Sequence, residues 1–255
     1  MDFLQILILS IIQGITEFLP ISSQSHLILT SKLLGMRDQG LGFDIALHAG
    51  SLLAILLYYR KEVLKMISVS DEGIQYLKLI IIGSIPLPII GLLFIDIVSD
   101  NLRTVNSIAL MTILFALLLY YVDRKNIGEN YNLKSLSFFT IIFIGFMQTF
   151  AIIPGISRSG IVITAALLLN YSRTDSIKIA FLLSIPAIFM ATVYQASKLY
   201  QVGDIEILNE YLLGMSLSFI FSYITIYLFI STINKISFTP YVIYRVLLGI
   251  FLFAI

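Results

Sequence analysis

The run "NSIALMTILFALLLYYV" at residues 106–122 holds no charged side chain, and stretches almost as apolar recur at roughly 44–60, 75–95, 177–197, 211–233 and 240–255. A helix that crosses the ~30 Å hydrocarbon layer of a bilayer needs about 20 such residues. Six stretches of this kind cannot be hidden inside a 255-residue chain that is 58% hydrophobic and only 12% charged, since a soluble domain carries about 25% charged residues. With a mean hydropathy of +0.97, most of this surface has lipid as its solvent. The chain therefore reads as an all-α, polytopic membrane protein. Its net charge is +1 with no block of Lys or Arg, which argues against nucleic acid as a partner. Cysteine is absent, so disulfides, thiolate catalysis and Cys-ligated metals are excluded. The N-terminus lacks the basic flank and small-residue cleavage site of a signal peptide, and residues 1–20 are expected to stay in the mature protein.

Two further regions differ from the six spans. Residues 3–19 and 136–152 are apolar helices that run into the polar turns "LPISSQSH" and "PGISRSG". Only short apolar runs follow, at about 26–36 and 161–170, and ten residues of helix cover about half a bilayer. Each region is expected to form a re-entrant hairpin with its turn near the midplane, where irregular backbone survives only if protein or water surrounds it. Pro86 and Pro88 should kink the span at 75–95.

The two hairpins look like copies. Gln13 lies eight residues before Ile21 and Gln148 eight residues before Ile156, while "IALHAGSLLAI" from Ile45 resembles "IAFLLSIPAIF" from Ile179. One hairpin and three spans then make up each half, about 1–123 and 134–255 within a single membrane domain. Three spans are an odd number, so the second half is inverted relative to the first, a layout that gathers functional sites at the midplane. For orientation, Arg60, Lys61, Lys65, Lys78, Arg124, Lys125, Lys134, Arg173, Lys178 and Lys235 collect on one side, against Lys32, Arg37, Arg103 and Lys198 on the other. The basic side should be cytoplasmic. Both termini and the mouth of the first hairpin then face outside, and the second hairpin enters from the cytoplasm.

The turns carry the chemistry. Glu17, Ser22, Ser23, Gln24, Ser25 and His26 are each costly to bury without a partner. The short helices should begin near Ser23 and Arg158, so two helix N-termini converge in the interior, and such termini bind anions. Gly155 permits close backbone approach, and Arg158, between Ser157 and Ser159, is the planar partner of a phosphate. Gln13 and Glu17 share a helix face and suit a hard cation, Mg²⁺ or Ca²⁺, completed by phosphate oxygens. Ser22 and Ser23 within reach of His26 outline a nucleophile–base pair. Together these groups fit a polyanionic phosphate.

The same residues resemble a known family. "QGITEFLPISSQSH" is similar to the (E/Q)xxxE and PxSSxxH elements of the undecaprenyl-diphosphatase family, and "PGISRSG" to its PGxSRS element. "FDIALHAGSLLAIL" also resembles that family's third helix, and the likeness covers essentially the whole chain. It departs at Gln24-Ser25, where members usually carry Thr-Gly before the histidine, and at Val162, where they carry Thr. The resemblance implies six spans with two re-entrant hairpins. It implies hydrolysis of a polyprenyl diphosphate at the outer face of the cell membrane with a divalent cation, in support of peptidoglycan synthesis and antibiotic resistance. It further implies metal binding by Gln13 and Glu17, phosphate binding by Arg158 with its serines, and catalytic roles for Ser23 and His26, either of which is open as the attacking group.

Plainer readings stand beside these. Ser22 and Ser157 read as ordinary N-caps, His48 as a packing or inter-helix hydrogen-bonding residue, and Arg245 as a side chain snorkelling to the membrane surface. A flippase for a phosphorylated prenyl carrier would use the same arginine and helix ends, but has no need of Glu17, Ser23 and His26. Apart from membrane lipids and the lipid substrate, no partner is indicated; a homodimer is compatible with the sequence, which fixes no oligomeric state.

Overall fold

The computed structural model describes residues 1–35, 40–68, 70–102, 104–126, 136–199 and 206–254. Every regular element among them is helical. The first half consists of α1 (Phe3–Thr16), α2 (Ser23–Leu33), α3 (Gly40–Tyr58), α4 (Arg60–Ile67), α5 (Asp71–Ser84), α6 (Pro86–Asn101) and α7 (Val105–Lys125). The second consists of α8 (Phe138–Gln148), continued by a 3-10 turn at Thr149–Ile152, then α9 (Arg158–Leu168), α10 (Arg173–Leu199), α11 (Glu206–Ile236) and α12 (Thr239–Phe253). Small polar residues start several helices: Asp2, Ser70, Thr104, Ser137 and Ser157 each accept a hydrogen bond from a backbone N–H of the first turn, which satisfies donors that would otherwise be orphaned in lipid.

Four helical stretches are long and apolar enough to cross a membrane: Asp71–Phe94, Val105–Lys125, Arg173–Tyr194 and Leu208–Ile236. The first runs through α5 and α6 across the break at Ile85, beside the two prolines expected to kink it. A fifth arises if α3 and α4 count together, but the chain bends by 81° between them. The sixth expected span is α12, whose 15 residues cover roughly 22 Å. Arg37, Arg103 and Lys134 of the basic count lie outside the described residues, as do the side chains of Lys32 and Lys198 and the stretch joining the two expected repeats.

Packing is of the kind lipid demands, with small residues where helices touch and little reliance on hydrophobic exclusion. At Gly50 on α3 an added Cβ would lie 2.2 Å from the Met215 carbonyl of α11, and at Gly145 on α8 one would lie 2.3 Å from that of Gly83 on α5. Ser51 bonds Ser222 and Ser218 of α11 at 2.9 and 3.2 Å. The core is centred on the short helix α9, of which Ile161 to Leu167 are buried without interruption. Large apolar side chains such as Phe139 and Leu93 point outward instead. α2 and α9 pack beside the helices that precede them and end after 11 residues each.

Candidate active site

Two turns build the site. α1 ends at Thr16, and Glu17 caps it with its backbone N–H on the Gln13 carbonyl. The chain then turns through Pro20 and Ile21 to Ser22, whose φ is +72°, and α2 starts at Ser23. In the second turn Gly155 sits at φ +94° and Ser157 caps α9 through Gly160 N. Ser22 therefore departs from the N-cap expected of it. A capping residue has extended backbone, whereas Ser22 is left-handed and its hydroxyl bonds Ser25 Oγ at 3.1 Å. Ser157 is the cap the sequence indicated.

The turns meet at Glu17. Arg158 Nη2 donates to its Oε1 at 2.8 Å, Ser23 Oγ donates to its Oε2 at 2.6 Å, and Gln13 Nε2 donates to the same oxygen at 3.2 Å. Glu17 is nearly buried, and the ion pair with Arg158 joins the two halves of the chain. A carboxylate this deep is tolerable because opposite charge and hydroxyl donors surround it. Ser159 Oγ reinforces the junction by donating to the Leu19 carbonyl at 2.9 Å.

A cleft of about 1000 Å³ opens beside this cluster. Glu17, Ser22, Ser23, Gln24, Asp44, His48, Ser157 and Arg158 are among its lining residues, so the first residues of both α2 and α9 border one space. Leu87, Val105, Ile108, Ile152 and Ile188 form its apolar walls. Gly155, Ser159, Gln13 and His26 do not line it. Gly155 packs against α7, where an added Cβ would lie 2.5 Å from the Ile108 carbonyl, and Ser159 is spent on the Leu19 carbonyl.

The expected Ser–His pair is not what forms. Ser23 pairs with Glu17, and His26 reaches back along α2 to the Ser22 carbonyl at 2.7 Å and across to Tyr244 Oη at 2.5 Å. On a helix the i−4 carbonyl is the nearest acceptor for a side chain turned toward the N-terminus, and that contact takes the ring. His48 takes the inter-helix role that was open to it: its Nδ1 lies 2.9 Å from Gln13 Nε2 and 3.5 Å from Glu17 Oε2. One residue escaped the sequence reading. Arg245 does not snorkel: it is 1% exposed and donates to the carbonyls of Pro20 and Gly155. A midspan arginine was the signal for Arg245.

A hard divalent cation needs oxygen donors, commonly one or two carboxylates with phosphate oxygens and water. Among the described residues no three His, Asp or Glu side chains converge as a cage. Gln13 Oε1, however, is buried without a hydrogen-bond partner beside the Glu17 carboxylate. Gln13 Oε1 and the Glu17 carboxylate are oxygen donors of the type a hard cation takes, and they are the residues that would hold one.

Fold and site together define a helical membrane protein with a cleft bordered by two polar turns. The sequence pattern of the family "Bacitracin resistance protein BacA" matches residues 6–251, and the chain belongs to that family. It is 44% identical over 263 aligned residues to the "Undecaprenyl-diphosphatase" of Saccharophagus degradans, with 100% of this chain and 98% of the relative covered. It is 43% identical to the protein of the same name from Teredinibacter turnerae (99% of each chain) and 42% identical to "Undecaprenyl-diphosphatase 1" of Pseudoalteromonas translucida (98% and 97%).

Proposed function

We infer that this chain is an integral membrane phosphatase that hydrolyses a polyprenyl diphosphate of the undecaprenyl class. The products are the prenyl monophosphate and inorganic phosphate, and the monophosphate re-enters cell-envelope glycan synthesis as lipid carrier. The observation that carries this reading is the Glu17 carboxylate held between Ser23 Oγ and Arg158 in the lining of a cleft that also has many apolar residues, within a chain of that family. The diphosphate would sit against Arg158 and the free N–H groups of α2 and α9, with the prenyl chain along the walls.

In the mechanism we propose, Ser23 is the attacking group and Glu17 its base. As Ser23 Oγ bonds to the terminal phosphorus, its proton passes to Glu17 and the bond to the bridging oxygen breaks, releasing prenyl monophosphate. Water then attacks the phosphoserine, giving inorganic phosphate and restoring Ser23. Arg158 stabilises the charge that builds on the transferring phosphoryl oxygens, with Ser157 beside it, while Ser22 shapes the turn. His26, occupied at both ring nitrogens, holds the turn rather than the phosphate. A cation on Gln13 and Glu17 would supply further charge neutralisation when bound.

We further propose six spans with α1–α2 and α8–α9 as re-entrant hairpins, in two inverted repeats, with the site and both termini facing outside the cell membrane. The shortness of α2 and α9 supports the hairpins. The ion pairs Lys178–Glu62 and Arg173–Asp123 support the orientation, because they tie basic residues assigned to the cytoplasmic side into one layer. A reporter active only in the cytoplasm should be silent when fused to the C-terminus. Purified protein in detergent should release phosphate from a prenyl diphosphate, and stop when a chelator is added. Absence of phosphate release, with transfer of labelled prenyl phosphate across liposomes, would replace the enzyme with a flippase. Full turnover in excess chelator would remove the cation alone.

A further inference from the structure

Tyr244 and Arg245 are neighbours on α12, line no part of the cleft, and yet touch both turns that form it. Arg245 Nη2 donates to Gly155 O at 3.0 Å and Nη1 to Pro20 O at 3.3 Å, one carbonyl from each turn. Its Nη1 lies over Gly160, where an added Cβ would come within 3.3 Å, so the guanidinium rests on the first turn of α9. Among the described residues Arg245 makes no ion pair, and its Nε has no hydrogen-bond partner. Both facts make its burial costly, as does the partial positive charge of the α9 N-terminus. An apolar side chain of the same length would avoid that cost and lose only the two carbonyls. The carbonyls are therefore what the arginine is for.

Tyr244 acts on the first turn through His26. A carbonyl can only accept, so the 2.7 Å contact to Ser22 O puts the proton on His26 Nδ1. Nε2 is then the acceptor, and Tyr244 Oη is its donor at 2.5 Å. The two rings also stack, 14° from parallel. The carbonyl so held belongs to Ser22, whose φ of +72° is uncommon for a residue with a Cβ and needs its surroundings to sustain it. Ser23 follows directly.

We propose that Tyr244 and Arg245 are positioning residues: α12 clasps the two turns and sets the distance between Glu17 and Ser23 on one and Arg158 on the other. This rests on reading those three side chains as the phosphatase site. Misplacement of reacting groups costs turnover rather than binding, so the clasp is tested by a split between kcat and KM together with a direct measure of spacing. The chain has no cysteine, and cysteines introduced at the exposed Leu34 after α2 and Leu168 at the end of α9 would carry the only spin labels. Tyr244→Phe is expected to lower kcat about tenfold with KM within about twofold, the size of one lost hydrogen bond acting on the transition state. Arg245→Lys keeps the charge but not the two-point reach and is expected to lower kcat about a hundredfold. Both variants should broaden the label–label distance distribution, while Tyr227→Phe on the outer face of α11 changes neither quantity. If Arg245→Lys does not insert, Tyr244→Phe decides alone. An unchanged distance distribution, or a rise in KM at constant kcat, overturns the clasp. Should the wild type release no phosphate at all, the enzyme reading fails, and the distances still decide whether α12 sets the spacing.

Discussion

The turn at Pro20–Ser23 and the turn at Pro154–Arg158 meet the same backbone requirement with different residues. Each follows a proline, passes through one left-handed residue and enters a helix of 11 residues. In the second turn the left-handed position is Gly155, which has no Cβ to strain. In the first it is Ser22, which does, and His26 and Ser25 hold it there. The side chains then divide the chemistry. The first turn presents a carboxylate and a hydroxyl, the second a guanidinium and a capped helix N-terminus. Each turn carries a charge that is costly to bury alone, and the Glu17–Arg158 ion pair joins the two. Two turns of similar backbone form one cluster because their side chains differ.

The comparison breaks most completely at the ion pair. Arg158→Ala should reduce phosphate release by roughly 10²–10³, the usual effect of losing one preorganised charge donor from a dry site. Arg158→Lys should recover little of it, since an ammonium lacks the planar two-point contact. Glu17→Gln should fall as far, because Ser23 then has no base. Wild-type rates for Arg158→Ala would put the chemistry elsewhere in the molecule.

Next come the two serines that start the short helices. Ser23→Ala should abolish turnover to a similar degree while leaving the melting temperature nearly intact, because its hydroxyl touches only Glu17 among the contacts seen here. Ser157→Ala should do the reverse. It removes the cap of α9 at a cost of about 1 kcal/mol and leaves most of the turnover. Equal losses of activity in both would mean that the turns share the nucleophilic role.

How far the sequence carried follows from what each feature depends on. Helices α7, α10 and α11 were legible because twenty apolar residues have one solution in lipid. The starts of α2 at Ser23 and of α9 at Arg158 were legible because small polar residues and glycine punctuate apolar runs. The partners were not. Whether Ser23 turns to His26 or to Glu17 depends on the rotation of α2 about its axis, which no local pattern encodes. Arg245 is instructive in the same way: read along α12 it is a stray charge in an apolar helix, and only the arrival of Pro20 and Gly155 from distant segments gives it a function. Four expected spans met the length test outright. α3 and α12 did not: a window of apolar residues cannot foresee the 81° bend after Tyr58, and α12 ends at Phe253 after 15 residues.

A gentler probe exchanges the left-handed residues. Gly155→Ala places a Cβ at φ +94° and 2.5 Å from the Ile108 carbonyl, so α7 must move. A stability loss of about 2–3 kcal/mol is expected, read as a fall in detergent thermal unfolding. Ser22→Gly relieves strain at φ +72° and should change stability by under about 1 kcal/mol. If Ser22→Gly unfolds as readily as Gly155→Ala, the hydroxyl contact to Ser25 matters more than the backbone.

The smallest effect separates the two glutamines. Gln13 and Gln148 occupy matching places before their turns and both are fully buried, but their surroundings differ. Gln13 Nε2 reaches His48, Glu17 and Ser51. Gln148 has no hydrogen-bond partner for either its nitrogen or its oxygen among the described residues. An amide buried without partners costs about 1–3 kcal/mol, and methionine is close to it in length and flexibility while carrying no such cost. Gln148→Met should therefore leave activity unchanged and raise stability by up to about 1 kcal/mol, a shift of a few degrees in thermal unfolding. Gln13→Met should lower both, because it strips a donor from Glu17 and from His48. Measured side by side in the same detergent, opposite signs would mean that the polar network belongs to the first turn only. A loss of stability in Gln148→Met would mean instead that the second turn keeps a polar partner of its own, and that the two turns differ less than their contacts indicate.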